Sequence, residues 1–264
     1  MSFLTLLFER GLGYSAINVA RSAIMSLSLC DRSEKQKNIL RIYMRGIFNK
    51  RPSLPRYTVT WDPHKMLSLF ESWGDNDNLS LQQLTQKTCC LLLLLSGRRG
   101  QTIILIDINN ILFQDGEVLI SLGDILKTTK KGFQEPQICL KAYQNKNICV
   151  VETLHQYLER TKQCRGDETQ LFVSYAKPHK KISRDTLSRY VRMTMTAAGI
   201  DINRFKPHSL RSASTSAAKQ SNVSLATIMA AVGWKNESTF TTFYDRKVQH
   251  NTGAISEALV SLPK

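Results

Sequence analysis

The chain has 264 residues, 42% of them hydrophobic, and 36 Lys plus Arg against 21 Asp plus Glu, for a net charge of +15 and a pI near 9.7. It is long enough for one large domain or two ordinary ones and apolar enough to bury a core. The charge points to a polyanionic partner, nucleic acid first and an acidic membrane surface second. The longest apolar run, 89–95, falls far short of the roughly 18 residues a spanning helix needs, and no Trp/Lys-rich amphipathic helix supports membrane-surface binding.

The N-terminus, MSFLTLLFERGLG, sets Glu9 and Arg10 directly after a brief apolar patch and has no leading basic region, so it does not read as a signal peptide. Residues 3–48 read as helical, with Ile17, Ala20, Ile24, Leu27 and then Ile39, Ile42, Met44, Ile47 at helical spacing. Asn49 to Pro63 carries three of the seven prolines among basic residues, which suits an extended linker over 49–62 between a domain at 1–48 and another at 63–264. A helix is predicted from Pro63 to Trp73 with Asp62 as N-cap, and another from Leu79 to Leu95, opening at Ser80 and closing into Ser96-Gly97. Val118 to Leu126 and Phe133 to Leu140 are rich in β-formers and flank KTTKKG, a predicted hairpin. Helices are predicted at Val150–Arg160, Ser183–Ala198, Ser209–Gln220 and Leu225–Val232, with no internal repeat. The cysteines (Cys30, Cys89, Cys90, Cys139, Cys149, Cys164) form no C-x-x-C pair and have no histidine at ligand spacing, so they read as reduced thiols of a cytosolic or nuclear protein.

Three clusters carry candidate chemistry. Ser96-Gly97-Arg98-Arg99 ends the apolar helix, where packing can hold an arginine and aim it at an anion; two solvated arginines are the plainer alternative. In Lys206-Pro207-His208-Ser209-Leu210-Arg211, His208 and Arg211 share a helix face in a first turn whose free N–H groups also favour an anion. A capping histidine and a surface arginine would serve structure alone. Gly233-Trp234-Lys235 precedes a Thr-rich stretch ending in Phe243-Tyr244-Asp245-Arg246, and Tyr244 taken singly fits an ordinary packing residue.

Taken in order, these clusters resemble the tyrosine recombinase family of site-specific recombinases and phage-type integrases, whose catalytic domain shares its chemistry with type IB topoisomerases. The likeness runs from about Ala16 to Tyr244. Arg99 matches the family's first arginine as Gly97-x-Arg99, Lys127 the hairpin lysine (with Lys130 the second choice), His208 and Arg211 the His-x-x-Arg box, and Tyr244 the nucleophile. Trp234 stands where most members carry His and a minority Trp. Tyr190 is the only other serious candidate for the nucleophile, on the wrong side of His-x-x-Arg. The phrases GYSAINVARSAI, RYTVTWD, LFVSYAKPHKKIS and FKPHSLRSASTSAAK resemble most closely the recombinases of DIRS-type retrotransposons. Against that pattern the first helix is clipped, since Met1 falls inside it.

The resemblance implies a mostly helical α+β fold. A small N-terminal helical (SAM-like) DNA-binding domain precedes a mixed α/β catalytic domain with a small antiparallel sheet, the two closing on duplex DNA as a C-shaped clamp. It implies DNA breakage and rejoining without cofactor or metal. Arg99 and Arg211 would neutralise the phosphate, and Lys127 would protonate the leaving oxygen. His208 would take the tyrosine proton or bond the phosphate, and Trp234 would pack the Tyr244 segment. Arg21, Arg41, Arg45, Lys50, Arg51, Arg56, Arg98, Lys130, Lys131 and Lys206 are the candidates for backbone phosphates. A homotetramer on DNA is expected, with the run Ala254 to Val260 docking on a neighbouring protomer, and a nuclear location if the chain comes from a eukaryotic mobile element, otherwise cytoplasmic. A recombinase fold that only holds DNA and a type IB-like topoisomerase are the alternatives.

Overall fold

The computed structural model describes residues 2–27, 33–54, 56–123, 137–234 and 236–249. The chain forms two compact units, Met1–Arg56 and Tyr57–Lys264. Within the stretch 49–62 expected to link them, a helix runs on to Lys50 and residues 59–61 form a strand of the second unit.

The first unit consists of α1 (Ser2–Glu9), α2 (Tyr14–Leu27) and α3 (Glu34–Lys50). Leu4, Ile17, Met44 and Ile47 form its buried centre, each helix contributing at least one. Ser33 starts α3 with a capping box: its hydroxyl accepts from the Gln36 N–H, and the Gln36 side chain accepts from the Ser33 N–H. The hydroxyls of Thr5 and Tyr43 meet at 2.7 Å, tying α1 to α3.

The second unit begins with β1 (Val59–Trp61) and α4 (His64–Ser72), whose first N–H donates to the Asp62 carboxylate at 2.9 Å. Next comes α5 (Leu81–Ser96), opened by a capping box between Ser80 and Gln83. From Leu84 to Leu94 every residue of α5 is buried, so this is the central helix, covered on all sides rather than amphipathic. After α6 (Gly100–Ile104) the strands β2 (Ile111–Gln114), β3 (Glu117–Ile120) and β4 (Ile138–Lys141) form an antiparallel sheet in the order β2-β3-β4. Val118 pairs with Leu140 and Ile120 with Ile138, all buried, so the period-2 alternation fixes the register. The hairpin turn predicted between β3 and β4 lies outside the described residues.

Four further helices follow: α7 (Val150–Thr161), α8 (Arg184–Ala197), α9 (Ser209–Gln220) and α10 (Leu225–Val232). α7, α8 and α9 all pack on α5. The chain then forms α11 (Glu237–Phe243) and β5 (Lys247–Gln249), which pairs in parallel with β1, Thr60 opposite Val248. A mostly helical α+β fold with a small antiparallel sheet is therefore what the chain adopts. The sequence reading did not anticipate α6, β2, α11 or the β1–β5 pair.

Candidate active site

The site is built around the C-terminal end of α5. Gly97 caps that helix in the left-handed region (φ +58°), and a Cβ there would lie 2.5 Å from Val232 Cγ1. Only glycine turns the chain this way while α10 stays packed. The next two residues then diverge. The Arg98 N–H donates to Ser96 Oγ at 3.2 Å and its side chain is buried, whereas Arg99, in extended backbone before α6, is exposed.

α9 supplies the second part. His208 is its N-cap residue and is exposed, with its ring 5.8 Å from that of Tyr57. The Tyr57 hydroxyl accepts from the Lys206 N–H at 3.0 Å, and the Trp61 indole N–H donates to Ser209 Oγ at 2.8 Å, so β1 and its approach brace this turn. Arg211 follows one turn in, buried; its Nη2 donates to the Val232 carbonyl at 3.1 Å.

The third part is Tyr244, directly after α11. Its ring lies 4.6 Å from that of Trp234, and the Arg211 guanidinium stands 4.6 Å from the Trp234 ring centroid and 5.6 Å from that of Tyr244. Arg211 thus lies against both rings, which also touch each other, and these contacts hold the plane of its donors. Trp234 is buried and its indole N–H has no hydrogen-bond partner among the described residues.

These parts meet in a cleft of about 430 Å³ lined by Arg98, Arg99, Arg184, His208, Arg211 and Tyr244 among others, with no carboxylate among the described residues of its wall. A cleft with four guanidiniums is suited to phosphate groups. The structure therefore brings together Arg99, His208, Arg211 and Tyr244, with Trp234 packed behind, as well as Arg98. Lys127, Lys130 and Lys131 lie outside the described residues, as does the segment 254–260. Tyr190, the other candidate, is buried beside Tyr175 at 4.8 Å between ring centroids, its pKa raised chiefly by burial, and it does not line the cleft.

Arg184 was missed by sequence reasoning. It is the first residue of α8 after the Ser183 cap, and its one sequence signal is a basic side chain in a helix's first turn, a weak one. The remaining expected DNA contacts are scattered. Arg41, Arg45, Lys50 and Arg56 are exposed, and Arg21 is half-buried. Arg51 is engaged inside its own unit: Nη1 donates to the Phe8 carbonyl at 2.5 Å and the Leu12 carbonyl at 3.3 Å, and the guanidinium covers the Phe8 ring at 4.0 Å. Lys206 is exposed and its Nζ donates to the Ile202 carbonyl at 3.0 Å. Among the described residues no three His, Cys, Asp or Glu side chains gather as a metal site.

The fold and cleft define a class that a family comparison identifies. Residues 66–250 match the phage integrase family, and the chain belongs to it. No curated protein matches the chain by sequence. Among solved structures it is similar to the Tn1549 transposon integrase in complex with transposon right end DNA, at TM-score 0.57 and 15% identity, covering 98% of this chain and 82% of that one. It is similar to the XerH site-specific recombinase bound to difH substrate, at TM-score 0.56 and 16% identity, covering 79% of this chain and 53% of that one. It is similar also to a lambda integrase dimer bound to a COC' core site, at TM-score 0.53 and 16% identity, covering 95% and 80%. The chain thus spans about half the length of the XerH protein it matches.

Proposed function

We propose that the chain is a site-specific DNA recombinase that cuts and rejoins duplex DNA through a 3'-phosphotyrosine at Tyr244. The observation that carries this reading is the meeting of Tyr244 with Arg99, His208 and Arg211 in one cleft with no carboxylate among its described lining residues. A phosphodiester repels nucleophiles through its own charge. Arg99 and Arg211 neutralise the non-bridging oxygens and hold the pentavalent transition state. The Tyr244 oxygen bonds to phosphorus and its proton passes to His208 or to the phosphate. The bond from phosphorus to the 5'-oxygen breaks, and that oxygen takes a proton from Lys127. The tyrosyl phosphodiester conserves the energy of the bond, so attack by a 5'-hydroxyl reverses the steps and rejoins the strand. The indole N–H of Trp234 donates only, so it can bond a phosphate oxygen but cannot shuttle the proton.

Double-stranded DNA is the partner and a homotetramer on DNA the working assembly. The solved relatives include a lambda integrase tetramer bound to a Holliday junction, which supports this assignment. The phrases shared with recombinases of DIRS-type retrotransposons favour integration of a mobile element, and a nuclear site of action if the host is a eukaryote. Incubation with a nicked suicide substrate tests the reading. The expected result is a covalent protein–DNA adduct mapping to Tyr244 and absent from Tyr244→Phe, with DNA binding kept. Binding without adduct in the unaltered protein would leave a DNA-binding protein only.

A further inference from the structure

One face of α9 is attached to the nucleophile's main chain in a way the chemistry above does not use. Ser212, Ser216 and Lys219 recur at i, i+4 and i+7, and so project on one side of the helix. Ser216 Oγ donates to the Tyr244 carbonyl at 2.6 Å and accepts from the Arg246 N–H at 3.1 Å. Ser212 Oγ donates to the same carbonyl at 3.3 Å. Lys219 Nζ pairs with the Asp245 carboxylate. Three consecutive residues, Tyr244 to Arg246, are therefore each gripped by one helix.

The chemistry of the grip is specific. Tyr244 follows the last turn of α11, where carbonyls run out of helical partners. Its own N–H is used, donating to the Phe240 carbonyl at 2.8 Å, while its carbonyl takes two hydroxyl donors from another element. Both serines are buried, so water does not replace them freely. Apolar packing of the segment is supplied separately by the fully buried Phe240, so the hydroxyls are not what anchors α11 as a whole. Arg211 directly precedes Ser212, so the residue that faces the phosphate and the residue that holds the nucleophile's backbone are neighbours on one rigid helix. Ser214 Oγ, on another side of the same helix, donates to the Leu94 carbonyl and fixes α9 to α5 near Gly97.

We infer that Ser212 and Ser216, with Lys219 at the exposed end, are positioning residues that latch the Tyr244 backbone to the helix carrying Arg211 and so set the attack distance. The inference rests on the recombinase reading for its effect on rate, though the latch itself can be measured without DNA. In Ser212→Ala/Ser216→Ala the Tyr244 carbonyl loses both donors, and hydrogen exchange of the Arg246 amide accelerates while amides in the middle of α9 keep their protection. With a suicide substrate, the single-turnover rate of adduct formation falls about tenfold or more, as expected when two hydrogen bonds are lost from the positioned state. DNA affinity stays within about twofold of the unaltered protein, because no latch residue reaches the substrate cleft. Ser216→Thr keeps a hydroxyl and restores most of the rate. Lys219→Ala, which removes a partly exposed ammonium that also lies over the Phe240 ring at 5.5 Å, gives a smaller slowing in the same direction. Unchanged exchange at Arg246 together with an unchanged cleavage rate in the double variant would overturn the latch. So would a loss of DNA affinity in proportion to the loss of cleavage. Faster exchange with no adduct from any form of the protein, the unaltered one included, would keep the latch and sink the recombinase reading instead.

Discussion

The indole N–H of Trp61 donates to the hydroxyl of Ser209 across 2.8 Å, joining residues 148 apart in sequence in a fully buried bond. Ser209 is the first residue of α9 and the neighbour of His208, so the strand at the start of the second unit orients the turn that presents the His-x-x-Arg pair. Trp61→Phe keeps an aromatic ring, smaller than the indole, and deletes the donor. It should cost about 1 kcal/mol of stability and slow adduct formation severalfold with DNA affinity intact. Denaturant unfolding with single-turnover cleavage measures both, and wild-type values for the two would remove Trp61 from the site's support.

Gly97 is the second test. Gly97→Ala meets both a left-handed backbone and a 2.5 Å approach to Val232. The strain and overpacking together should cost about 2–4 kcal/mol. Adding Val232→Ala should recover the steric part and leave the backbone part. If the double variant is no more stable than Gly97→Ala, the contact is not what demands glycine.

Arg184 is expected to contact a phosphate beyond the one that reacts, since four guanidiniums share the cleft. Arg184→Ala should weaken DNA binding equally for all sequences and lower the slope of log affinity against log salt by about 1. An unchanged slope would mean that its side chain meets no phosphate. Binding by the unaltered protein should itself fall steeply with salt, as its +15 charge implies.

Lys87 carries the pH prediction. Its side chain is buried in the middle of α5, its ammonium nitrogen lacks a hydrogen-bond partner among the described residues, and burial lowers its pKa from 10.5 to about 8 despite an opposing pull from Asp75. Between pH 8 and 10.5 the unfolded chain holds a proton that the folded chain has released, so this group makes stability rise with pH across that window. Below pH 8 the buried charge destabilises in full. Lys87→Met should therefore melt higher than the unaltered protein at pH 7, with the gap closing toward pH 10.5. Melting curves of the two proteins across that range decide it, and a constant gap would show that Lys87 does not titrate there.

Much of this was legible in the sequence because its signals are local. The β-formers from Val118 onward marked a strand, Ser80 marked a helix start, and His208 with Arg211 shared a face whatever the tertiary fold. What escaped was non-local or too short for a period to show. β1 and β5 have three residues each and are strands only because they pair with one another. Arg184 gains its meaning from lining the same cleft as Arg99, and Arg51 loses its expected freedom to the carbonyls of Phe8 in α1 and Leu12 just after it. The burial of Lys87 carried no local signal, because it follows from tertiary packing that covers α5 all round.

The parallel pairing of β1 with β5 has a consequence for how the protein is made. Its two strands stand near the opposite ends of the second unit, so the pair is among the longest-range contacts in the fold and closes a very large loop. A ribosome delivers β1 early and β5 late, after Tyr244 has already emerged. Until β5 arrives, the partner strand for residues 59–61 does not exist. A nascent or broken chain thus lacks one of the two strands that close the second unit, whatever else it has already folded.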